Sequence, residues 1–165
     1  MKLVIINGAV CSGKSTAVEG VMRQESRYFH LSYDSLKWQF SHYVSGKYYE
    51  DIRVLRLAML STLCELKYNV ITESLHKESR QKHIDLAASY GYDVVEINLE
   101  AAYDELLERW NKRIARGERK ETMKKERFDE IYSIYMSEKN EQATTFHTDT
   151  QSVDEVSQGI LKLLR

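Results

Sequence analysis

The sequence predicts a three-layer α/β/α fold in one domain that spans residues 1–165, built on a parallel sheet of about five strands. Two observations favour this fold. Short apolar runs alternate with longer segments of helical periodicity, which is typical of parallel strands joined by crossover helices. The chain also lacks proline and any Gly- and Ser-rich stretch that would indicate a linker. In such open sheets ligands bind at the carboxyl ends of the strands, so we expect functional residues just after each strand.

Five segments have the apolar, β-branched composition of strands, and helical segments lie between them. The final helix is the clearest, because Ser152 followed by Glu155 predicts a capping box at its start. The apolar positions of this helix are Val153, Val156, Ile160 and Leu164. The predicted strands cover residues 2–7, 30–33, 69–72, 93–99 and 145–148.

Composition limits the classes of protein to consider. Hydrophobic residues make up 42% and charged residues 30% of the chain, which is an ordinary globular balance. A formal net charge of -1 does not indicate nucleic acid as a partner, although a local basic patch stays open. Cys11 and Cys64 are not spaced as zinc ligands. The apolar run at residues 3–6 is too short for a signal peptide or a membrane span, so we expect a cytoplasmic monomer or homodimer without a membrane partner.

A glycine-containing segment directly after the first strand matches the pattern GxxxxGK[ST] at every fixed position. Gly8 and Gly13 let backbone N–H groups turn into one concavity, and a helix that begins near Lys14 adds the positive end of its dipole. Lys14 can then act as a catalytic residue on the β- and γ-phosphates of a nucleoside triphosphate, while the Ser15 hydroxyl is placed to bind Mg²⁺. The alternative is a turn that binds nothing. The predicted nucleotide-binding residues are Gly8, Ala9, Val10, Cys11, Ser12, Gly13, Lys14, Ser15 and Thr16.

An acidic residue follows the second predicted strand. Asp34 comes directly after Tyr33, and Lys37 lies one helical turn further on. Beside the phosphate-binding loop, Asp34 can accept a proton from an acceptor hydroxyl or help to hold Mg²⁺, and Lys37 can neutralise charge on the acceptor. On the local sequence alone, Asp34 serves equally well as the cap of a helix that starts at Ser35. Both interpretations stay open at this point.

A strongly helical segment at residues 101–117 carries an arginine face. Arg109, Arg113 and Arg116 fall within about 60° of one another around the helix axis. Such a face can close over a triphosphate as a lid, where guanidinium groups stabilise charge on the transferring group and exclude water. The apolar stripe of the same helix consists of Tyr103, Leu107, Trp110 and Ile114.

Two other interpretations of this helix stay open. The arginine face can be solvated, with Glu105 pairing to Arg109 and Glu108 pairing to Lys112 at helical spacing. The nine Lys and Arg residues in the range 109–127 can also follow a nucleic-acid backbone. The aromatics do not interleave with them, because Trp110 belongs to the apolar stripe and Phe128 is expected at the edge, so a stacking surface for bases is not indicated there.

Four segments together resemble the small P-loop kinases of the polynucleotide kinase, zeta toxin and gluconate kinase group. They are the GxxxxGK[ST] loop, the step Ser32-Tyr33-Asp34, the segment VITESLHKESR at residues 70–80, and the arginine-rich helix. The similarity covers nearly the whole chain. It implies a sheet of order 2-3-1-4-5, ATP with Mg²⁺ as the cofactor, and a helical lid at about residues 109–127.

The resemblance also implies roles for single residues. Asp34 is then the base for a hydroxyl acceptor, Arg113 is a catalytic lid residue, and Arg109 binds the triphosphate. Lys37 stands where the group usually has arginine, and lysine lacks the planar fork that binds phosphate in a bidentate manner. Glu73 stands where related sequences have aspartate, so it binds Mg²⁺ through water or, like Lys37, contacts the acceptor. Three tyrosines lie in the region where acceptors enter in this group, namely Tyr43, Tyr48 and Tyr49. They either line a pocket for a ring or sugar or fill the core.

The leading hypothesis is an ATP-dependent phosphotransferase that moves the γ-phosphate to a hydroxyl of a small molecule, a nucleoside or a polynucleotide 5' end. One alternative is a nucleoside monophosphate kinase, which needs a phosphate-binding cation at Lys37, Arg53 or Arg56. The other is a regulatory nucleotide-binding module that hydrolyses ATP slowly and transfers nothing. His76 lies in the same strand-end loop as Glu73 and either contacts the substrate or, as favoured, is a surface histidine, and Arg80 opens the next helix and can be purely structural.

Overall fold

The computed structural model describes residues 1–44, 46–74, 76–117 and 123–165, which form five strands and seven helices. The strands are β1 (Lys2–Asn7), β2 (Tyr28–Leu31), β3 (Asn69–Glu73), β4 (Asp93–Glu100) and β5 (Thr144–His147). The helices are α1 (Lys14–Met22), α2 (Tyr33–Lys37), α3 (Tyr49–Glu65), α4 (Lys77–Ser89), α5 (Tyr103–Ala115), α6 (Lys125–Glu138) and α7 (Val153–Leu163).

All five strands are parallel in one sheet of order β2-β3-β1-β4-β5, which confirms the predicted order. The central strand β1 pairs with β3 and β4, and β2 and β5 form the edges. Ile6 of β1 lies opposite Glu73 of β3, and Leu31 of β2 lies opposite Thr72. The carboxyl ends of these three strands therefore meet at one edge of the sheet.

Alternate residues of β1 face two different hydrophobic cores. Val4 and Ile6 pack with residues of α1 and α7, whereas Leu3 and Ile5 pack with residues of α3 and α4. All four side chains are fully buried. Successive side chains of a strand point to opposite faces, so a strand that is apolar at every position must be covered on both sides. The predicted three-layer α/β/α fold is confirmed.

The second strand lies two residues earlier than predicted. It covers Tyr28–Leu31, whereas the predicted strand covered residues 30–33. The Ser32 side chain accepts a hydrogen bond from the backbone N–H of Ser35 at 3.3 Å, so Ser32 caps α2 and the chain leaves the sheet there. Asp34 lies in the first turn of α2, and its interpretation as the cap of a helix starting at Ser35 is wrong. The other four strands agree with the prediction to within one residue at each end.

The helix predicted at residues 101–117 is α5, and its apolar stripe is shorter than expected. Trp110 is 7% exposed and Tyr103 and Leu107 are partly buried, but Ile114 is 39% exposed, so the last turn of α5 leaves the core. Leu106, which was not part of the predicted stripe, is 1% exposed. Phe128 was expected at an edge but is only 1% exposed, and its ring packs on Trp110 with 5.3 Å between centroids. Phe128 lies in α6 and is covered by Trp110 of α5, and the sequence of either helix alone does not show this contact.

The predicted capping box at the start of α7 is present, with Ser152 and Glu155 bonded to each other's backbone N–H groups. Val156 and Ile160 are buried as expected, whereas Val153 is 56% exposed because it lies in the first turn. Among the described helices, none has the length and apolar content needed to cross a bilayer.

Candidate active site

The loop after β1 has the backbone geometry that an anion cradle needs. Gly13 is the N-cap of α1 with φ 92°, and Cys11 adopts φ 64°, so two residues of the loop are left-handed. A Cβ atom added to Gly8 would lie 2.3 Å from the Ser12 hydroxyl oxygen and 2.7 Å from the Leu99 carbonyl oxygen. Glycine is therefore required at residue 8 for close packing and favoured at residue 13 for its φ angle.

Lys14 begins α1, and its side chain folds back over the loop. The ammonium group donates hydrogen bonds to the carbonyl oxygens of Gly8 at 2.8 Å and Ala9 at 2.9 Å. These contacts hold the charge at the mouth of the loop, beside the N-terminal end of α1, where the helix dipole also favours an anion.

Three other charged side chains act on Lys14. Burial lowers the pKa of Lys14, the negative charges of Glu73 and Asp34 raise it, and the positive charge of Arg113 lowers it. Charges influence one another in this way only over short distances. The candidate base, the acidic end of β3 and the predicted catalytic lid arginine therefore lie within electrostatic range of the same ammonium group.

The loop fits the triphosphate tail of a nucleotide. The Ser12 hydroxyl is buried, and within the described part of the chain it has no hydrogen-bond partner, which a phosphate oxygen would supply. Ser15 and Thr16 are exposed in the first turn of α1. The described ranges contain no group of three or more His, Cys, Asp or Glu side chains that could hold a metal ion. The Ser15 hydroxyl, at the start of α1, is the loop group that would hold a Mg²⁺ ion together with the phosphates.

Asp34 projects into solvent beside the phosphate loop and is paired with Lys37. Oδ1 of Asp34 lies 2.8 Å from Nζ of Lys37, and the side chain of Asp34 is 71% exposed while that of Lys37 is 16% exposed. The half-buried lysine fixes the carboxylate by an i, i+3 contact on α2. An acceptor hydroxyl can reach this carboxylate from the solvent side.

Glu73 is the second acidic group at the site, and its carboxylate is held by a histidine. Nε2 of His30 lies 3.3 Å from Oε1 of Glu73. Burial alone would raise the pKa of Glu73, but the hydrogen bond to His30 and the charges of Lys14 and Arg56 outweigh it and bring the pKa below its usual value. Glu73 is thus ionised at neutral pH and faces the phosphate site.

A buried arginine ties together the ends of β2 and β3. Nη2 of Arg56 donates at 2.6 Å to the Thr72 hydroxyl and at 2.6 Å to the Glu73 carbonyl, and the Thr72 hydroxyl donates at 2.9 Å to the Leu31 carbonyl. The sequence interpretation considered Arg56 only as a phosphate-binding cation and missed this role. Its spacing of four from Ile52 and Leu60, both fully buried, is the signal that could have shown it.

Arg53 and Arg56, two of the cations considered for a nucleoside monophosphate kinase, already have partners within the protein. Arg53 is paired with Glu50 at 2.9 Å and with Glu78 at 3.5 Å. Arg56 is 4% exposed, so a phosphate would have to replace its two hydrogen bonds.

The arginine face of α5 contacts the phosphate loop through Arg109. The Arg109 guanidinium donates to the Cys11 carbonyl at 3.4 Å and to the hydroxyl and carbonyl of Thr148 at 3.0 and 2.7 Å. Arg109 also pairs with Glu105 at 2.8 Å, and Lys112 pairs with Glu108, so the expected helical ion pairs form as well. The solvated pairs and a contact with the loop therefore occur on the same helix.

The predicted lid, residues 109–127, is only partly described. It includes the end of α5, Arg116 as its C-cap, and the start of α6. Arg119 and the rest of residues 118–122 lie outside the described residues, and the lid stays a prediction.

Two residues near the strand ends have structural contacts. Arg80 is 5% exposed, pairs with Glu96 at 3.0 Å and donates to the Glu138 carbonyl at 2.8 Å, so it links α4 to β4 and α6. His76 lies 3.5 Å from the Glu138 carboxylate and packs edge-on against Tyr49. Both contacts agree with the structural interpretation of these residues.

The solved structures similar to this chain include kinases and an RNA repair complex. The chain is 24% identical to a chain of the Pnkp1/Rnl/Hen1 RNA repair complex, with a TM-score of 0.70, over 82% of this chain and 44% of that chain. It thus spans less than half of that protein. The Mycobacterium tuberculosis APS kinase CysC, in complex with AMPPNP and APS, is 22% identical with a TM-score of 0.65, over 99% and 96% of the two chains. Shikimate kinase from Aquifex aeolicus is 20% identical with a TM-score of 0.56, over 99% and 96%.

These identities are low and show the fold. No curated protein matches the chain. A protein-family model described as AAA domain matches residues 3–135, which include the phosphate loop, the ends of β2 and β3, and the arginine face. The chain therefore belongs to the AAA domain family and has the P-loop kinase-like fold that the sequence resemblance implied.

Proposed function

We propose that the protein is an ATP- and Mg²⁺-dependent phosphotransferase that moves the γ-phosphate to a hydroxyl group. The observation that carries the proposal is a glycine-containing loop with the Lys14 ammonium held over it, together with the exposed carboxylate of Asp34, whose charge acts on that ammonium. A protein that only binds a nucleotide needs the loop and Lys14. An exposed carboxylate next to the phosphate site is what transfer to a hydroxyl requires in addition.

In the proposed reaction, the acceptor oxygen bonds to the γ-phosphorus while the bond from that phosphorus to the β,γ-bridging oxygen breaks, and ADP leaves. Asp34 takes the proton of the acceptor hydroxyl. Lys14 and the amides of the loop bind the phosphates, and Arg113 stabilises the charge that spreads over the transferring group. Mg²⁺ supplies further neutralisation of this charge, and Glu73 contributes a negative group that can orient its water ligands.

The direct test is incubation of the protein with ATP, Mg²⁺ and a panel of nucleosides, sugars and 5'-hydroxyl oligonucleotides. We expect one class to be phosphorylated. Asp34→Asn should lower kcat about 100-fold with little change in ATP binding, because the base is lost but the cradle is intact. The control Asp85→Asn removes an exposed carboxylate of α4 that accepts a hydrogen bond from Gln81 in the same helix, and should leave kcat unchanged.

Two results would argue against transfer. One is a panel in which no member is phosphorylated while kinases assayed in parallel are active. The other is a slow ATP hydrolysis that Asp34→Asn leaves unchanged, which is the behaviour of a regulatory nucleotide-binding module. Lys14→Ala should impair nucleotide use in either case.

A further inference from the structure

Six aromatic side chains form one connected group at the carboxyl end of β2. Phe40 and Tyr48 stack with 5.0 Å between ring centroids, and Trp38 meets Tyr43 edge-on at 5.5 Å. Tyr43 and Tyr48 are 6.3 Å apart, and Tyr33 and Tyr49 are 6.1 Å apart. A hydrogen bond between Tyr33 and Tyr43 joins the two parts and, with burial as the larger cause, raises the pKa of Tyr33. We call Tyr33, Trp38, Phe40, Tyr43, Tyr48 and Tyr49 the aromatic cluster.

The aromatic cluster is not part of a core. None of its six residues is buried, and Trp38 is 41% exposed. Elsewhere, Trp110, Phe128 and Tyr135 are inside at 7%, 1% and 3% exposure, and the exposed rings of Phe29, Tyr68 and Tyr90 do not pack on one another in the described part of the chain. Aromatic groups that pack only for stability are normally covered in this way, whereas partly exposed rings gathered in one place mark a binding surface.

One lysine joins the aromatic cluster to the candidate base. Nζ of Lys37 lies 2.8 Å from Oδ1 of Asp34, 5.0 Å from the ring centroid of Trp38 and 5.9 Å from that of Tyr43. The carboxylate and the Trp38 ring are thus separated by no more than about 8 Å. One bound molecule with a ring system and a hydroxyl group can therefore contact both the Trp38 ring and Asp34.

The charges around the aromatic cluster are balanced. Lys37 is paired with Asp34, and Arg53, which lies 5.7 Å from the Tyr49 ring centroid, is paired with Glu50. A surface that binds a polyphosphate backbone presents excess positive charge, and the net charge of the whole chain is -1. The cluster therefore suits a neutral ring better than a polyanion.

We propose that the phosphoryl acceptor is a neutral nucleoside, whose base stacks on the aromatic cluster at Trp38 while its sugar hydroxyl reaches Asp34. The inference rests on the proposed function and narrows its acceptor. Base–aromatic stacking tolerates different bases because every base has a π-face, so several nucleosides should be accepted. A sugar without a ring system lacks the group that the cluster binds.

The first test measures binding without phosphoryl transfer. The chain has two tryptophans. Trp110→Phe leaves Trp38 as the single fluorescent indole and keeps an aromatic ring at the buried residue 110. We expect adenosine and uridine to quench Trp38 fluorescence in a saturable manner, and ribose to leave it unchanged. Absence of quenching by every nucleoside in folded protein would overturn the inference, even if the protein phosphorylates a sugar. Quenching without any transfer would instead support nucleoside binding at the aromatic cluster and count against the proposed function.

A 5'-hydroxyl oligonucleotide distinguishes a nucleoside from the end of a nucleic acid. We expect the oligonucleotide to bind no more tightly than the nucleoside, with an affinity that changes little between low and moderate salt. Binding at least tenfold tighter than adenosine, with a steep loss on adding salt, would show phosphate contacts and refute the choice of a neutral acceptor.

The second test uses substitution of one ring. Trp38→Leu should raise the calorimetric Kd for adenosine about tenfold, the size expected for one lost stacking contact, and leave the Kd for ATP unchanged. The matched control is Tyr68→Leu, because Tyr68 is 38% exposed beneath Arg27 but lies outside the cluster. This control should leave both Kd values unchanged. Equal effects of the two substitutions, or none from either, would contradict the inference.

Discussion

The hydroxyl of Thr72 is expected to contribute strongly to stability, and Thr72→Val tests this with almost no change in shape. The residue is fully buried, accepts a hydrogen bond from the Arg56 guanidinium and donates one to the Leu31 carbonyl. A hydrogen bond from a charged donor contributes about 1.5–3 kcal/mol and a neutral one about 1 kcal/mol. Since valine leaves both partners buried with one bond fewer, we expect the free energy of unfolding to fall by about 2–4 kcal/mol.

The assay is urea unfolding followed by circular dichroism, at neutral pH. With an m-value of about 2 kcal/mol/M, the expected loss moves the midpoint down by about 1–2 M. Thr62→Val is the control, because the exposed Thr62 hydroxyl bonds only to the Ala58 carbonyl within α3, and its midpoint should stay close to that of the unchanged protein. A loss below about 0.5 kcal/mol for Thr72→Val would refute the view that this hydroxyl joins β2 to α3 through Arg56.

Three further outcomes are expected. Burial, with the charge of Arg56 as a smaller cause, lowers the pKa of His83 to about 4. Because the unfolded chain binds the proton first, stability falls as the pH drops from about 6.5 towards 4. Thermal melts across this range should show a smaller fall for His83→Gln. Gly8→Ala should weaken Mg²⁺-ATP binding at least tenfold in calorimetry, because a Cβ would meet the Leu99 carbonyl at 2.7 Å, and an unchanged Kd would contradict this. Cys11 has φ 64°, a left-handed conformation that a β-branched residue adopts only with strain. Cys11→Val should therefore lower the free energy of unfolding by about 1–3 kcal/mol, whereas Cys11→Gly should not. Equal urea midpoints for the two variants would be the contrary result.

The parts of the fold that depend on local pattern could be predicted from the sequence. The apolar run of β1, the glycines of the loop and the Ser152 capping box each determine their structure through neighbouring residues. The end of β2 could not be placed in the same way. Ser32 and Tyr33 have strand-like composition, but the Ser32 hydroxyl bonds to the Ser35 backbone and starts a helix instead.

Features that depend on contacts between distant segments were not available from the sequence. Arg56 was considered as a phosphate-binding cation, and only its partners Thr72 and Glu73, on another element, explain its burial. Phe128 is covered by Trp110 of α5 for the same reason. At the candidate site, the sequence supplied Lys14 and its loop, whereas the contact of His30 with Glu73 required the pairing of β2 with β3.

The central strand, whose side chains alternate between two cores, also carries the phosphate loop at its end. Because Leu3 and Ile5 belong to one compartment and Val4 and Ile6 to the other, neither compartment can melt without disturbing the strand that both share. Amide hydrogens of this strand should exchange only through global unfolding. The loop is consequently mounted on the slowest-opening part of the molecule, and a ligand that binds there meets a receptor already ordered at its base.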